Sequence, residues 1–199
     1  MKRPAPRSRS AHPGPPRCAI YVRVSDPKQE RDGTSLATQE VSCRAYAHER
    51  GYVVTDVETR WTLAELLRDR LGLTGTKVSC ELQVCGVCTV LVDGQPVSSC
   101  TFLAADVDGK DVTTIEGLAH GDVLHPIQQA FVEQFAFQCG FCTPGFVMMS
   151  KALLDVTPHP TVEQVEHHLE GNLCRCTGYA PIVAAVLRAA ELLDGDGRA

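Results

Sequence analysis

The chemistry legible in this 199-residue chain lies in its ten cysteines. Near the C-terminus, "EGNLCRCTGYAP" places Cys174 and Cys176 on either side of Arg175. Thiols this close are poor disulfide partners, because bridge geometry is demanding and so short a loop closes only with strain. In an extended segment, residues i and i+2 point to one side, so both sulfurs can face one object. Upstream, "QCGFCTPG" supplies a C-x2-C pair, Cys139 and Cys142. Each pair stands before a helix opened by proline, Pro144 or Pro181. Helix N-termini carry unpaired N–H groups and partial positive charge, so two of them converging would stabilise a site of four thiolates.

A second set of four is spaced C-x4-C-x2-C-x11-C: Cys80, Cys85, Cys88 and Cys100. Its first three positions follow the plant-type ferredoxin spacing, with a fourth ligand further on. Such a loop wraps a compact anionic cluster and aims amide N–H groups at its sulfurs, and Gly86 lets the backbone approach closely. Four cysteines also suit structural zinc. "CGFC" at a helix start also matches a thioredoxin-type redox pair, although the pair at 174 and 176 argues against that use. Cys18 and Cys43 fall in neither set and read as buried small residues. His167 and His168, beside Glu166, read as a solvated helix face, and no H-E-x-x-H pattern occurs.

The composition bounds these readings. No apolar signal region opens the chain, and no apolar run is long enough to span a membrane. Many cysteines without a secretory signal point to metal or redox chemistry in the cytoplasm, rather than to disulfides. The net charge is −5, and Lys2, Arg3, Arg7, Arg9 and Arg17 give residues 1–17 a local +5, leaving −10 for the rest. That proline-rich stretch reads as a disordered basic tail, and the acidic remainder argues against nucleic acid as the main ligand.

The elements that must position the thiols follow from periodicity. Residues 18–57 read as strand, helix, strand, a βαβ unit. "TLAELLRDRL" predicts a helix with a Thr62/Glu65 capping box and Leu63, Leu66 and Leu67 on one face. Residues 80–116 read as short strands, with an Asp93-Gly94 hairpin turn and a further strand in "DVTTIEG". A linker covers 119–124, and residues 125–193 carry four helical stretches. Their apolar stripes are Ile127, Ala130, Phe131 and Phe135; Phe146, Met149 and Leu153; Val162, Val165 and Leu169; and Ile182, Val186, Ala190 and Leu193. These stripes predict a small four-helix bundle, with residues 194–199 as a disordered tail.

From "TLAELLRDRLGLTGTK" through "CGVCTVLVDG", "TTIEGL", "LHPIQQAF", "QCGFCTPG" and "GNLCRCTGY", the chain resembles the small iron–sulfur subunit of the xanthine oxidase and carbon monoxide dehydrogenase family of molybdenum hydroxylases. The resemblance covers about residues 60–193. It implies an α+β chain: a β-grasp, ferredoxin-like 2Fe–2S domain at 58–118, then a four-helix-bundle 2Fe–2S domain at 125–193. By the same resemblance, Cys80, Cys85, Cys88 and Cys100 ligate the cluster nearer a flavin. Cys139, Cys142, Cys174 and Cys176 ligate the one nearer the molybdenum cofactor, and Gln138 approaches its pterin. The implied role is electron relay through two 2Fe–2S clusters. The implied partners are a molybdopterin-binding large subunit and an FAD-binding medium subunit, with no substrate site on this chain. Family members often carry glycine between the first two ligands, where this loop reads "CELQVC". A positive φ there would cost Gln83 about 1 kcal/mol or more.

Residues 18–57 resemble a different family, the start of a serine recombinase catalytic domain, in "AIYVRVSDPKQERDGTSLATQEVSCRAYAHERGY". Its nucleophilic serine and assisting arginine map to Ser25 and Arg23, with Gln29 in the same motif. Only about the first third of that domain is represented. The alternative reading is therefore a truncated recombinase fragment that binds DNA and carries a metal-binding C-terminal extension.

Overall fold

The computed structural model describes residues 17–20, Ala45, 53–56 and 60–195. Arg23, Ser25, Gln29 and Cys43 lie outside these residues, as do 1–16 of the expected basic tail and 196–199 of the C-terminal one. The chain divides into two units, Met1–Asp56 and Val57–Ala199. In the first, β1 (Arg17–Ile20) and β2 (Val53–Asp56) pair in parallel, with Cys18 opposite Val54. Parallel neighbours need a crossover connection, as the βαβ reading requires, and Ala45 between them is helical.

In the second unit, α1 (Leu63–Glu65) begins at the expected capping box. Glu65 N–H donates to Thr62 Oγ1 at 3.2 Å, and Thr62 N–H donates to Glu65 Oε2 at 2.7 Å. The helix then widens into a π-type turn, Leu66–Arg70. Leu63, Leu66 and Leu67 pack with Trp61, Val90 and Val92 in one core. The sheet of this half runs β4 (Gln95–Ser98), β3 (Thr89–Val92), β5 (Val112–Thr113), all antiparallel. Asp93 and Gly94 turn the β3–β4 hairpin with φ of 50° and 80°, as a type I′ turn demands.

Four helices follow: α2 (Pro126–Glu133), α3 (Thr143–Val156), α4 (Val162–Leu169) and α5 (Ala180–Gly195). They close over a second core built on Ile127, Phe131, Phe146, Leu153, Val165 and Val186, which β3 joins through Leu91. The two halves therefore share a packed seam. Two stripe residues depart from the periodic expectation. Phe135 is 80% exposed with φ of 51°, because α2 stops at Glu133 and the chain turns left-handed past its end. Val162, first residue of α4, is half exposed, since the helix's first turn projects beyond the core.

Candidate metal centres

The first set of thiols surrounds a loop held from three sides. Arg68 Nη1 donates to the carbonyls of Thr74 and Thr76, at 3.1 and 2.6 Å, and fixes the approach to Cys80. Leu63 and Ala64 amides bond the carbonyls of Phe102 and Ser99, which docks α1 against the segment carrying Cys100. Ser99, fully buried, donates its hydroxyl to Cys88 O at 2.7 Å. Cys85, Cys88 and Cys100 are buried and Cys80 is partly exposed.

Between Cys80 and Cys85 the backbone turns left-handed twice, at Glu81 (φ 54°) and Gln83 (φ 60°). The suspected positive φ at Gln83 is therefore present, and a second occurs at Glu81. The turns aim amides at sulfur: the N–H groups of Leu82 and Val84 both reach Cys80 Sγ at 3.4 Å. These bonds, with help from Cys85, bring the Cys80 thiol down to about 6. Burial, together with the Cys88 thiol, pushes Cys100 up to about 11. The loop thus combines one thiol already ionised at neutral pH with another that must release a proton to bind metal.

The second set assembles across the helical half. Cys142 caps α3, with Pro144 in its first turn. Cys176 lies four residues before α5, whose second residue is Pro181. The fold brings all four thiols together as two pairs. Cys139 and Cys176 stand 3.6 Å apart at the surface, and Cys142 contacts Cys174 further in. Burial, with the Cys174 thiol beside it, pushes Cys142 up to about 12. Burial also pushes Cys174 up, but the Thr177 hydroxyl and amide outweigh it, so this thiol ionises below the ordinary range. The neighbouring Cys139 thiol raises Cys176. Gln138 is exposed beside Cys139, and Phe135, Phe137 and Phe141 expose aromatic surface around it. Arg175 is exposed between the two ligand candidates.

All eight of these cysteines are free thiols. Structural zinc draws four ligands around one ion, whereas a binuclear cluster divides four thiolates between two irons. In the second set, the two sulfur pairs, Cys139 with Cys176 and Cys142 with Cys174, fit the second description.

Several residues that matter to these centres carry no signal in the cysteine spacing. Asn172 is 2% exposed and donates Nδ2 to Gly86 O at 2.9 Å, while Leu173 N–H donates to Cys85 O at 2.9 Å. The two thiol loops therefore touch directly. The contact needs two glycines: a Cβ on Gly86 would meet Gly171 O at 2.6 Å, and one on Gly145 would meet Gly86 O at 2.4 Å. Thr177 and Tyr179 matter as well, through their bonds to Cys174. Tyr179 adopts φ of 68°, and its hydroxyl accepts from Cys174 N–H at 3.0 Å.

Comparison with known proteins defines the class first. Residues 45–115 match the family model of the 2Fe–2S iron–sulfur cluster binding domain, and residues 114–187 match that of the [2Fe–2S] binding domain. Among curated proteins, the nicotine 6-hydroxylase small subunit of Paenarthrobacter nicotinovorans is 53% identical over 133 residues, 67% of this chain and 80% of that protein. The nicotinate dehydrogenase small FeS subunit of Eubacterium barkeri is 46% identical over 139 residues, 70% of this chain and 87% of that one. Among solved structures, quinoline 2-oxidoreductase from Pseudomonas putida 86 aligns with a TM-score of 0.68 at 44% identity, covering 70% of this chain and 87% of that chain. The chain belongs to the 2Fe–2S subunits of the xanthine oxidase family of molybdenum hydroxylases.

Proposed function

We propose that Cys80, Cys85, Cys88 and Cys100 hold one 2Fe–2S cluster and that Cys139, Cys142, Cys174 and Cys176 hold the other. The chain is the electron-transfer subunit of an oxidoreductase complex. A bound 2Fe–2S cluster supplies reversible one-electron transfer with little rearrangement. The protein's own residues supply thiolates, screen them from water and set the distance between the sites. The observation that carries the reading is the Leu173–Cys85 hydrogen bond. Leu173 precedes Cys174, so one 2.9 Å bond joins a candidate ligand of each site through backbone alone.

The exposure of the thiols gives the relay a direction. Cys139 and Cys176 face solvent amid exposed aromatic residues, so this end meets a molybdopterin-binding large subunit, with Gln138 toward the pterin. Leu82 and Val84 expose apolar surface beside Cys80, which suits contact with an FAD-binding medium subunit at the other end. The four helices act as a bundle that presents the second site, within a β-grasp plus bundle architecture and a cytoplasmic complex. No helix among the described residues is long and apolar enough to cross a membrane. The recombinase resemblance of residues 18–57 rests on the parallel β1–β2 pair alone, and the 2Fe–2S family model, which begins at residue 45, takes in the end of that segment. The DNA-binding alternative is not favoured.

Cys176→Ser tests the assignment. Electron paramagnetic resonance of the reduced chain is expected to show one cluster signal disturbed and the other intact. Simultaneous loss of both signals would overturn the two-site reading.

A further inference from the structure

Around Cys174 a small hydrogen-bond network closes on one hydroxyl. Thr177 Oγ1 donates to Cys174 Sγ at 3.1 Å, and Thr177 N–H reaches the same sulfur at 3.4 Å. The oxygen of that hydroxyl accepts from Tyr179 N–H at 3.2 Å. A hydroxyl has a single proton, and with the Tyr179 amide on its oxygen that proton is held toward the sulfur. Tyr179 is itself anchored. Its ring meets Phe146 edge-on at 6.3 Å, and its hydroxyl accepts from Cys174 N–H at 3.0 Å. The loop therefore prescribes where the Thr177 proton points.

Cys80 offers a contrast. Its sulfur receives backbone amides, from Leu82 and Val84, which a side-chain substitution does not delete. Cys174 receives a side-chain donor, the Thr177 hydroxyl, which a substitution does delete. Cys174 also follows Leu173, whose amide contacts the first loop.

We infer that Thr177 is a positioning residue that sets the reduction potential of the second cluster through its hydroxyl bond to the Cys174 sulfur. This rests on the assignment of Cys174 as a ligand. A donor to a ligating thiolate withdraws negative charge from it, and so favours the state with one more electron. The bond makes the second cluster easier to reduce than four bare thiolates would, which matters for a site that must accept electrons at the exposed end and pass them inward.

The experiment is an EPR-monitored dithionite titration of the full chain in its complex, comparing Thr177→Val and Thr177→Ser. The valine variant is expected to lower the reduced-to-oxidised ratio of the second cluster about tenfold at fixed ambient potential, which is ~59 mV for a one-electron couple. The serine variant keeps the hydroxyl and is expected to stay within about twofold of wild type. The first cluster should hold its potential in both. An unchanged valine variant, or serine and valine shifted alike, would overturn the inference. Wild-type protein gives an independent check. Proton ENDOR of the reduced second cluster should show a strongly coupled proton that vanishes soon after transfer to D2O, as a hydroxyl proton does and a protected amide does not. Its absence also overturns the inference. Failure of the ligand assignment is separate: wild type would then show no second cluster signal at all.

Discussion

The seam between the two thiol loops can be opened with one methyl group. Gly145 sits buried in the first turn of α3, three residues after Cys142, and its missing Cβ would lie 2.4 Å from Gly86 O and 2.9 Å from Val87 Cα. Both atoms belong to backbone, so no side chain can swing away. Gly145→Ala must therefore push α3 and the 85–88 loop apart by about 1 Å to reach the 3.4 Å of ordinary contact. That displacement stretches the bonds from Asn172 Nδ2 to Gly86 O and from Leu173 N–H to Cys85 O, both 2.9 Å, beyond useful length. Overpacking costs roughly 1–3 kcal/mol, and each weakened bond adds about 1 kcal/mol. We expect a loss of about 3–5 kcal/mol, or very roughly 6–20 °C in Tm. Differential scanning calorimetry of the loaded chain would read it, beside the magnetic interaction between the reduced clusters, which should weaken. Gly171→Ala is the control from the same seam. A Cβ there meets nothing within 4 Å, so its stability should stay within about 0.5 kcal/mol of wild type. A Gly145→Ala protein as stable as the control would refute the packing argument.

The remaining predictions concern the first loop. Gln83 holds φ of 60° with a side chain, so Gln83→Gly is expected to raise stability by about 0.5–1 kcal/mol in chemical denaturation, after allowing for glycine's entropy. A decrease would mean that the Thr101–Gln83 side-chain bond, 3.2 Å, outweighs the backbone relief. In the cluster-free chain, Cys80 is held at about 6 by the Leu82 and Val84 amides, so it should react with iodoacetamide at pH 7 ahead of Cys100, held at about 11 by burial. The lowered group stabilises the apo fold above its ordinary value of 9.0, and that contribution is lost as pH falls through about 6. The raised group stabilises it below 9.0, and that contribution is lost as pH rises through about 11. Alkylation mapped by peptide mass against pH would contradict this if Cys80 reacted only above pH 8.

The thiol sets were legible because ligand spacing is a local property of the chain: eight cysteines in two patterns needed no tertiary information. The same holds for the Thr62/Glu65 box and the Asp93-Gly94 turn, where two or four residues settle the geometry. Periodicity misled where an element ended early. Phe135 continues the stripe of Ile127 and Phe131, but no glycine marks the end of α2 and the stripe runs on past it. The seam was not legible at all. Asn172 and Gly145 lie 86 and 59 residues from Gly86, and only the packed fold shows that one must be an amide and the other must lack a side chain. Thr177 gave a weaker signal, a hydroxyl three residues beyond a cysteine in a Gly-containing turn, and it acquires meaning only from the 3.1 Å contact.

Iron and acid-labile sulfide content, determined with the integrated EPR intensity of the fully reduced chain, tests the central claim most directly. Two binuclear clusters predict about four irons, about four sulfides and two distinct signals, each integrating to about one spin per chain. Zinc in place of iron, or two irons with a single signal, would contradict the account.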